Sequence, residues 1–335
     1  MSKEQKTVGR SKKRWKKVIK MTGIIAFVLI LFMYLNNTSL FAKNEGKDPT
    51  LLAHRGMAQT FPMEGIKSNT CTAERIHEPE HSYLENTIPS MEAAFEAGAD
   101  IVEFDVQPTK DGQFAIFHDW TLDCRTDGSG VTREHTMEEL KQLDIGYGYT
   151  ADNGKTFPFR GEGVGLMPSL EEVLRTFPDE EFLIHIKSDD PAEGKRLAKK
   201  LAALPKKRLE LLSVYGGDQP IKQLQTLLPN LRVMSIETMK SCLLPYIATG
   251  WTGHVPEACH NTQIHLPEGY AKWMWGWPGK FVNRFNDVNT RVILVAGDGQ
   301  WSEGFDRKED VKRIDQSYHG GIWTNRIDKI TPIFE

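Results

Sequence analysis

The 335-residue sequence predicts an α/β fold, a (β/α)8 barrel preceded by one N-terminal apolar helix. Three observations point there. Beyond residue 50, short runs rich in β-branched and aromatic residues alternate with amphipathic stretches, the pattern of a parallel sheet wrapped by helices. That alternation lasts roughly 280 residues, the size of one such barrel. And residues 21–42 contain no charge at all, between Lys20 and Lys43.

The N-terminus comes first. Residues 1–20 hold nine basic side chains against Glu4, a net of +8, so the chain's formal charge of -3 leaves -11 for residues 21–335. An acidic body excludes broad nucleic-acid binding, which needs Lys and Arg to neutralise phosphates. Charged residues at 26% and hydrophobic ones at 39% suit a globular domain. The 22 uncharged residues of 21–42 are long enough to cross a bilayer, and a helix of a soluble core would carry a polar stripe that they lack. A signal peptide and an uncleaved signal anchor share these features. Leu40, two positions before Ala42, makes a poor cleavage site and favours the anchor. Either way the basic tail stays in the cytoplasm and the body is exported. The expected protein is therefore single-pass in the cell membrane with its N-terminus inside, or secreted if the segment is cut. Residues 43–49 are polar and form a linker into a domain spanning 50–335.

Export changes the reading of Cys71, Cys124, Cys242 and Cys259. In an oxidising space four cysteines allow two disulfides in three pairings, of which Cys71–Cys124 with Cys242–Cys259 has the shorter loops. Buried free thiols are the alternative. No CxxC pair suggests a zinc ribbon.

Nine strand candidates follow: Leu51–Ala53, Ile101–Val106, Phe114–Phe117, Phe182–Ile186, Leu211–Tyr215, Arg232–Ile236, Gln263–Leu266, Arg291–Ala296 and Gly321–Thr324. Nine candidates for eight places make one an excursion. Ile88, Met91, Ala94 and Phe95 form a helical stripe that stops at Gly98. Asp190-Pro191 opens another helix, whose Leu197, Leu201 and Leu204 face one way before Pro205. Residues 57–83 have neither period and form a long loop after the first strand, over the barrel face where active sites are built.

The chemistry concentrates in Ile101–Val106. Strand alternation puts Val102, Phe104 and Val106 outward and Glu103 and Asp105 inward. Two buried carboxylates about 7 Å apart call for a cation, and oxygen ligands suit Mg2+ or Ca2+. A solvated edge strand would show the same alternation, but the neighbouring residues favour a metal site. Thr109-Lys110-Asp111-Gly112 is a turn signal, and a two-residue Asp111-Gly112 loop places His118 opposite Asp105. An imidazole there is a candidate general acid or base, with Asp119 either orienting it or capping the next turn. The first strand ends in His54-Arg55-Gly56, adding a second imidazole and a guanidinium suited to phosphate. These are the parts of a metal-assisted phosphodiester cleavage.

His54-Arg55-Gly56, Glu85-Asn86-Thr87, Glu103-Phe104-Asp105, Thr109-x-Asp111-Gly112 and His118-Asp119 occur in an order and spacing that resemble the glycerophosphodiester phosphodiesterases. The closing Gly320-Gly321-Ile322-Trp323-Thr324-Asn325-Arg326 is similar to that family's C-terminal signature. The strong match covers residues 51–128, with weaker echoes to about 330. The resemblance implies a TIM barrel of the PLC-like phosphodiesterase type that cleaves small or lipid-derived glycerophosphodiesters to glycerol 3-phosphate and an alcohol. It implies His54 and His118 as the acid–base pair, Glu103 and Asp105 as metal ligands, and Arg55 and Lys187 as phosphate-binding residues. Glu85 would be a further ligand or an organiser of the site. The implied mechanism has a glycerol hydroxyl attack phosphorus, giving a cyclic phosphate that water opens. Two departures stand out. Where the family has Glu-Ile-Lys, this chain has His185-Ile186-Lys187, so an imidazole takes the place of a metal-binding acid: as a ligand it brings Mn2+ or Zn2+ into consideration beside Ca2+ or Mg2+, and the alternative is a histidine that only hydrogen-bonds within the barrel. And Leu294-Val295-Ala296-Gly297 replaces the family's usual Trp-Thr-Val-Asn segment, so its substrate contacts do not carry over.

Two further readings are kept. A related phosphodiesterase would act on lysophospholipids or on a glycerol-phosphate cell-wall polymer. A non-catalytic phosphate-binding barrel is argued against by the presence of His54, His118, Glu103 and Asp105 together. Trp273, Trp275 and Trp277 form an aromatic cluster that suits packing better than bilayer contact or cation–π binding of a choline-like headgroup. His254, Cys259, His260 and His265 lack a metal spacing. No segment calls for an obligate protein partner.

Overall fold

In the computed structural model, residues 3–41, 48–67, 70–298 and 303–334 are described. Most of the expected linker at 43–49 therefore lies outside the described residues, as do two residues of the 57–83 loop. Among the described residues nine strands form one sheet: β1 (Thr50–His54), β2 (Ile101–Pro108), β3 (Phe114–Ile116), β4 (Glu181–Ile186), β5 (Leu212–Gly216), β6 (Arg232–Met234), β7 (Gln263–Pro267), β8 (Arg291–Val295) and β9 (Gly321–Thr324). Eight of them run parallel in the order β6-β5-β4-β2-β1-β9-β8-β7. A single parallel bridge from Val233 to Thr262 joins the outer two, so the barrel is nearly closed. The ninth strand, β3, is the excursion, an antiparallel hairpin on β2.

The period-two pattern of each strand now has a physical reading. Outward residues such as Val102, Phe104, Val106, Phe182, Ile184 and Val214 belong to one large core shared with the surrounding helices. Inward residues Leu52, Ile101, Leu183, Ile293, Val295 and Trp323 fill the lower barrel. Further along the same strands, towards their C-terminal ends, the inward positions become polar: His54, Glu103, Asp105, His185 and Tyr215. The apolar plug below and polar ring above are what place the site.

The helices begin where capping chemistry dictates. Thr87 caps Ile88–Glu96 with a box completed by Ser90, and Asp190 accepts from the Ala192 N–H at 2.8 Å to start Pro191–Ala202. Arg232–Ile236 is shorter as a strand than expected, because Ser235 caps a helix that starts at Ile236 and runs to Thr249. Between β3 and β4, residues 117–168 leave the barrel and enclose a second apolar cluster around Leu122, Leu140, Tyr149 and Phe159. The loop after β1 contributes Ala73 and Ile76 to that cluster, so it is anchored and not free. The Cys71–Cys124 disulfide ties these two excursions together, and Cys242–Cys259 forms the second bridge.

The hairpin register corrects the sequence expectation. Val106 faces Ile116 and Pro108 faces Phe114, one residue out from a two-residue loop. The loop instead has three residues, Lys110 to Gly112, closed by the Thr109 N–H donating to Gln113 O at 3.0 Å. Gly112 at φ 79° supplies the left-handed residue that such a turn requires, and the Thr109 hydroxyl accepts from the Gln113 N–H. Phe117, not His118, therefore comes opposite Asp105, its N–H reaching Asp105 O at 3.1 Å.

Among the described residues a long helix, Lys3–Asn37, basic in its first half and apolar in its second, precedes the barrel, and residues such as Ile24, Phe27 and Ile30 along it are exposed. Arg14–Asn37 is long and apolar enough to cross a membrane by length and composition.

Candidate active site

At the C-terminal mouth of the barrel, β1, β2, β4 and β5 deliver their last inward side chains to one place. Glu103 and Asp105 are fully buried. The Tyr215 hydroxyl donates to Glu103 Oε1 at 2.7 Å, and the Arg55 N–H donates to Glu103 Oε2 at 3.2 Å. Asp105 is held by Asn86, whose Nδ2 donates to Oδ2 at 3.0 Å while its Oδ1 accepts the Asp105 N–H at 3.0 Å. His185 Nδ1 lies 2.9 Å from Asp105 Oδ1 and 3.8 Å from Glu103 Oε1, with its ring stacked on Tyr215 at 4.0 Å. Lys187 Nζ is 3.5 Å from the same Asp105 oxygen.

Arg55 sits in the left-handed region at φ 61°, followed by Gly56 at φ 76°. A non-glycine residue there carries strain of about 1–3 kcal/mol and is found where a site over-determines it. The turn aims the guanidinium back at the carboxylates: Nε is 3.2 Å from Asp105 Oδ2 and Nη1 2.9 Å from Glu85 Oε1. The other Glu85 oxygen is 3.1 Å from Arg125. With both oxygens on guanidiniums, Glu85 lies outside the cluster of Glu103, Asp105 and His185, whose ligand atoms all lie within 4.8 Å of one another.

The two imidazoles are oriented by different partners. His54 Nδ1 is 2.6 Å from Asn325 Oδ1. That amide is itself fixed, since its Nδ2 donates to Asp306 Oδ2 at 2.9 Å and the Asn325 N–H donates to Asp306 Oδ1. The oxygen of Asn325 must then face His54, which puts the proton of the neutral ring on Nδ1 and leaves Nε2 as an acceptor, to which Arg55 Nε donates at 3.1 Å. His118 Nδ1 is 2.6 Å from Asp119 Oδ1, and Arg125 Nε lies 2.9 Å from Asp119 Oδ2. Both rings therefore present Nε2. His118 joins the site from the strand-end after β3, close enough to the centre that Arg55, Asp105 and Lys187 all perturb it. All eight residues singled out in the sequence converge here. Asn86, Tyr215, Asn325, Asp306 and Arg125 complete the arrangement, and none was assigned a role from sequence. Asn86 and Asn325 lay inside recognised motifs, and Tyr215 sits at an inward strand position, which is the signal each carried.

Electrostatics show what the cluster lacks. Burial, and next the neighbouring Asp105, push Glu103 up to about 8. Burial also opposes ionisation of Asp105, but Lys187, His118 and Arg55 outweigh it and hold that carboxyl well below the ordinary range. His54 is pushed well below its usual value by burial and by Arg55, and His118 is lowered by the same two causes. With the histidines neutral and Glu103, raised to about 8, holding its proton near neutral pH, Arg55, Arg125 and Lys187 face the charges of Glu85, Asp105 and Asp119, three positive against three negative. An anion entering the pocket would find no net positive charge to hold it. Two buried carboxylates and an imidazole are a donor set that fits a divalent cation, and a cation there would supply the missing positive charge.

The sequence model for the glycerophosphoryl diester phosphodiesterase family matches residues 54–229. A glycerophosphodiester phosphodiesterase of Caldanaerobacter subterraneus is 41% identical over 102 residues, covering 30% of this chain and 38% of that protein. One from Bacillus subtilis is 32% identical over 195 residues, 52% of this chain and 65% of that protein. The chain thus spans less than two thirds of the length of these curated relatives. Among solved structures, the glycerophosphoryl diester phosphodiesterase domain of an uncharacterised Mycobacterium tuberculosis protein superposes with a TM-score of 0.61 at 15% identity, over 86% of this chain and 100% of that one, a likeness of fold.

Proposed function

The chain belongs to the glycerophosphoryl diester phosphodiesterase family, and we propose that it hydrolyses glycerophosphodiesters to glycerol 3-phosphate and an alcohol, with one divalent metal ion, outside the cytoplasm. The observation that carries the reading is the convergence of two Nε2-presenting imidazoles, Arg55 and Lys187 on a buried Glu103–Asp105–His185 donor set.

Arg55 and Lys187 hold the phosphate. One imidazole takes the proton of the adjacent glycerol hydroxyl as its oxygen attacks phosphorus, and the other gives a proton to the departing alcohol as the P–O bond breaks. Water then opens the cyclic phosphate with the two roles exchanged, which returns both rings to their starting states. One ring must be protonated at the outset, and the negative charge of a bound phosphodiester favours that proton against the burial that opposes it. A cation held by Glu103, Asp105 and His185 would supply charge neutralisation at the phosphate oxygens. Glu85 acts as organiser, locking Arg55 and Arg125 in place.

Membrane attachment through residues 21–42 and an extracytoplasmic barrel are supported by the uncharged helix, the basic residues before it, and two disulfides of a kind that persist in oxidising compartments. A second reading concerns the leaving group. The pocket beside His54 continues past Thr60, Phe61 and Met63 into a wider cleft reaching Glu268 and Arg307, room for a lysophospholipid or a glycerol-phosphate polymer. Glycerol 3-phosphate release from glycerophosphocholine, glycerophosphoglycerol, lysophospholipid and teichoic acid tests both: turnover of the small diesters is expected, turnover of the large substrates alone favours the second reading, and none with any of the four refutes the enzyme.

A further inference from the structure

Three stretches without charge, 21–42, 241–253 and 273–279, are far apart in the sequence. They meet in space. Asn36 and Asn37 Nδ2 donate to Trp251 O at 3.0 and 2.9 Å, and Phe32 packs edge-on against the Trp251 ring. Ser39 Oγ donates to Gly276 O, and Trp275 Nε1 donates to Ile247 O at 2.8 Å. Arg284 is the hub. Its guanidinium donates to Asn36 O, Asn37 Oδ1, the Tyr246 hydroxyl and Gly250 O. Lys280 Nζ caps Leu35 O and Asn36 O at 2.8 and 2.9 Å. The two cations thus satisfy carbonyls that the last turn of the apolar helix leaves open, a favourable place for positive charge. The helix end is fastened to one side of the barrel.

That side is unusual. Helix Ile236–Thr249 buries Cys242 and Tyr246, as an outer barrel helix should, yet its opposite face exposes Ile236, Leu244 and Ile247 by 61, 63 and 47%. A helix facing water carries polar residues there. Trp273 is 72% exposed, with Lys272 Nζ 5.6 Å above its ring, whereas Trp275 and Trp277 pack against the core. Contiguous exposed apolar surface marks an interaction site, and Trp beside Lys suits a lipid headgroup layer.

We propose that the face formed by Leu244, Ile247, Trp251 and Trp273 rests in the headgroup layer of the bilayer that residues 21–37 cross, so the barrel lies against the membrane on this side. The proposal depends on the membrane-anchored reading. Its occupant is a phospholipid surface because the face continues directly from the end of the apolar helix, where hydrocarbon gives way to headgroups, and because Lys240 and Lys272 flank it.

The test uses the full chain in phosphatidylcholine–phosphatidylglycerol vesicles containing a photoreactive phospholipid, with labelled peptides mapped by mass spectrometry. Labelling is expected in 21–37, in 241–253 and at Trp273. Changing Leu244→Glu and Ile247→Glu together, at exposed positions whose folding is checked by thermal melting, should abolish labelling of the last two while 21–37 stays labelled. Labelling confined to 21–37 overturns the docking face and spares the anchor. No labelling in 21–37 overturns both. A dimer that dissociates in the double variant, with 241–253 and Trp273 unlabelled, assigns the face to a second copy and overturns the proposal.

Discussion

Asn325 shows how much of the site's chemistry is decided one residue away from the reacting groups. Its amide, pinned by Asp306, dictates which nitrogen of His54 bears the proton. Asn325→Ala should therefore lower kcat at least about tenfold, roughly 1.4 kcal/mol of transition-state stabilisation, with KM little changed. An equal rise in KM with kcat intact would show that Asn325 serves binding instead. The buried histidines also set an acid limit on stability. Burial and Lys187 hold His185 down at about 4, burial and His185 hold His265 at about 3, and His54 and His118 are likewise lowered. An unfolded chain takes up those protons near pH 6.5, so stability is intact above that value and is lost as the pH falls towards 4, each ring contributing a slope of up to about 1.4 kcal/mol per pH unit. The carboxyls of Glu103, Asp306, Glu193 and Glu303, raised chiefly by burial, act in the opposite sense and offset part of that slope. Melting of the chelator-treated chain should shift steadily downward from pH 7 to pH 5; an unchanged melting temperature contradicts the assignment. His54, Arg55, Glu103, Asp105 and His118 were legible because each falls at a strand end or in a recognisable motif. The roles of Asn325 and Tyr215 were not, since the contacts that define them span 271 and 112 residues.

At the level of elements, short runs rich in β-branched and aromatic residues, alternating with amphipathic stretches, were enough to find the nine strands of the described residues, because a parallel barrel strand is buried on both faces. What alternation cannot supply is register, which turn geometry sets. A three-residue loop around Gly112 in place of a two-residue one moved His118 by one position, yet the chain beyond β3 still delivers it to the site through the Asp119–Arg125 ion pair. The turn after β1 is less forgiving. A Cβ on Gly56 would lie 2.7 Å from Ser90 Oγ and 2.8 Å from Ser90 O at a φ of 76°. Gly56→Ala should displace Arg55, cost more than about 1 kcal/mol in a urea melt and reduce activity; a variant with wild-type melting and turnover would show that the turn is not what aims Arg55. The Cys71–Cys124 bridge holds Thr72 against Arg125, whose Nη2 donates to the Thr72 hydroxyl at 2.6 Å. Replacing both cysteines by serine is expected to cost about 2–5 kcal/mol and to lower kcat through the loosened Arg125 and Asp119. Lost stability with undiminished kcat would separate the bridge from the site.

For the molecule as a whole, the separation of charge seen in the sequence matches a separation of elements, the N-terminal helix and the barrel. The net charge of +8 in residues 1–20 precedes the apolar stretch of the N-terminal helix, whereas the barrel belongs to the acidic remainder of the chain, and its site lacks the positive charge that a bound cation would add. The excursion at 117–168 was invisible as a unit, because its irregular segments have no period and acquire a core only by folding against the loop after β1. The proposed reaction depends on a bound cation. The measurement that tests it most directly is glycerol 3-phosphate release from glycerophosphocholine by the chelator-stripped full chain, before and after addition of Ca2+, Mg2+, Mn2+ or Zn2+, in wild type and His118→Ala. The account predicts no release after stripping, recovery with at least one cation, and loss of about 100-fold or more in the variant under the same cation. Undiminished release from the stripped enzyme, or from His118→Ala, would contradict it.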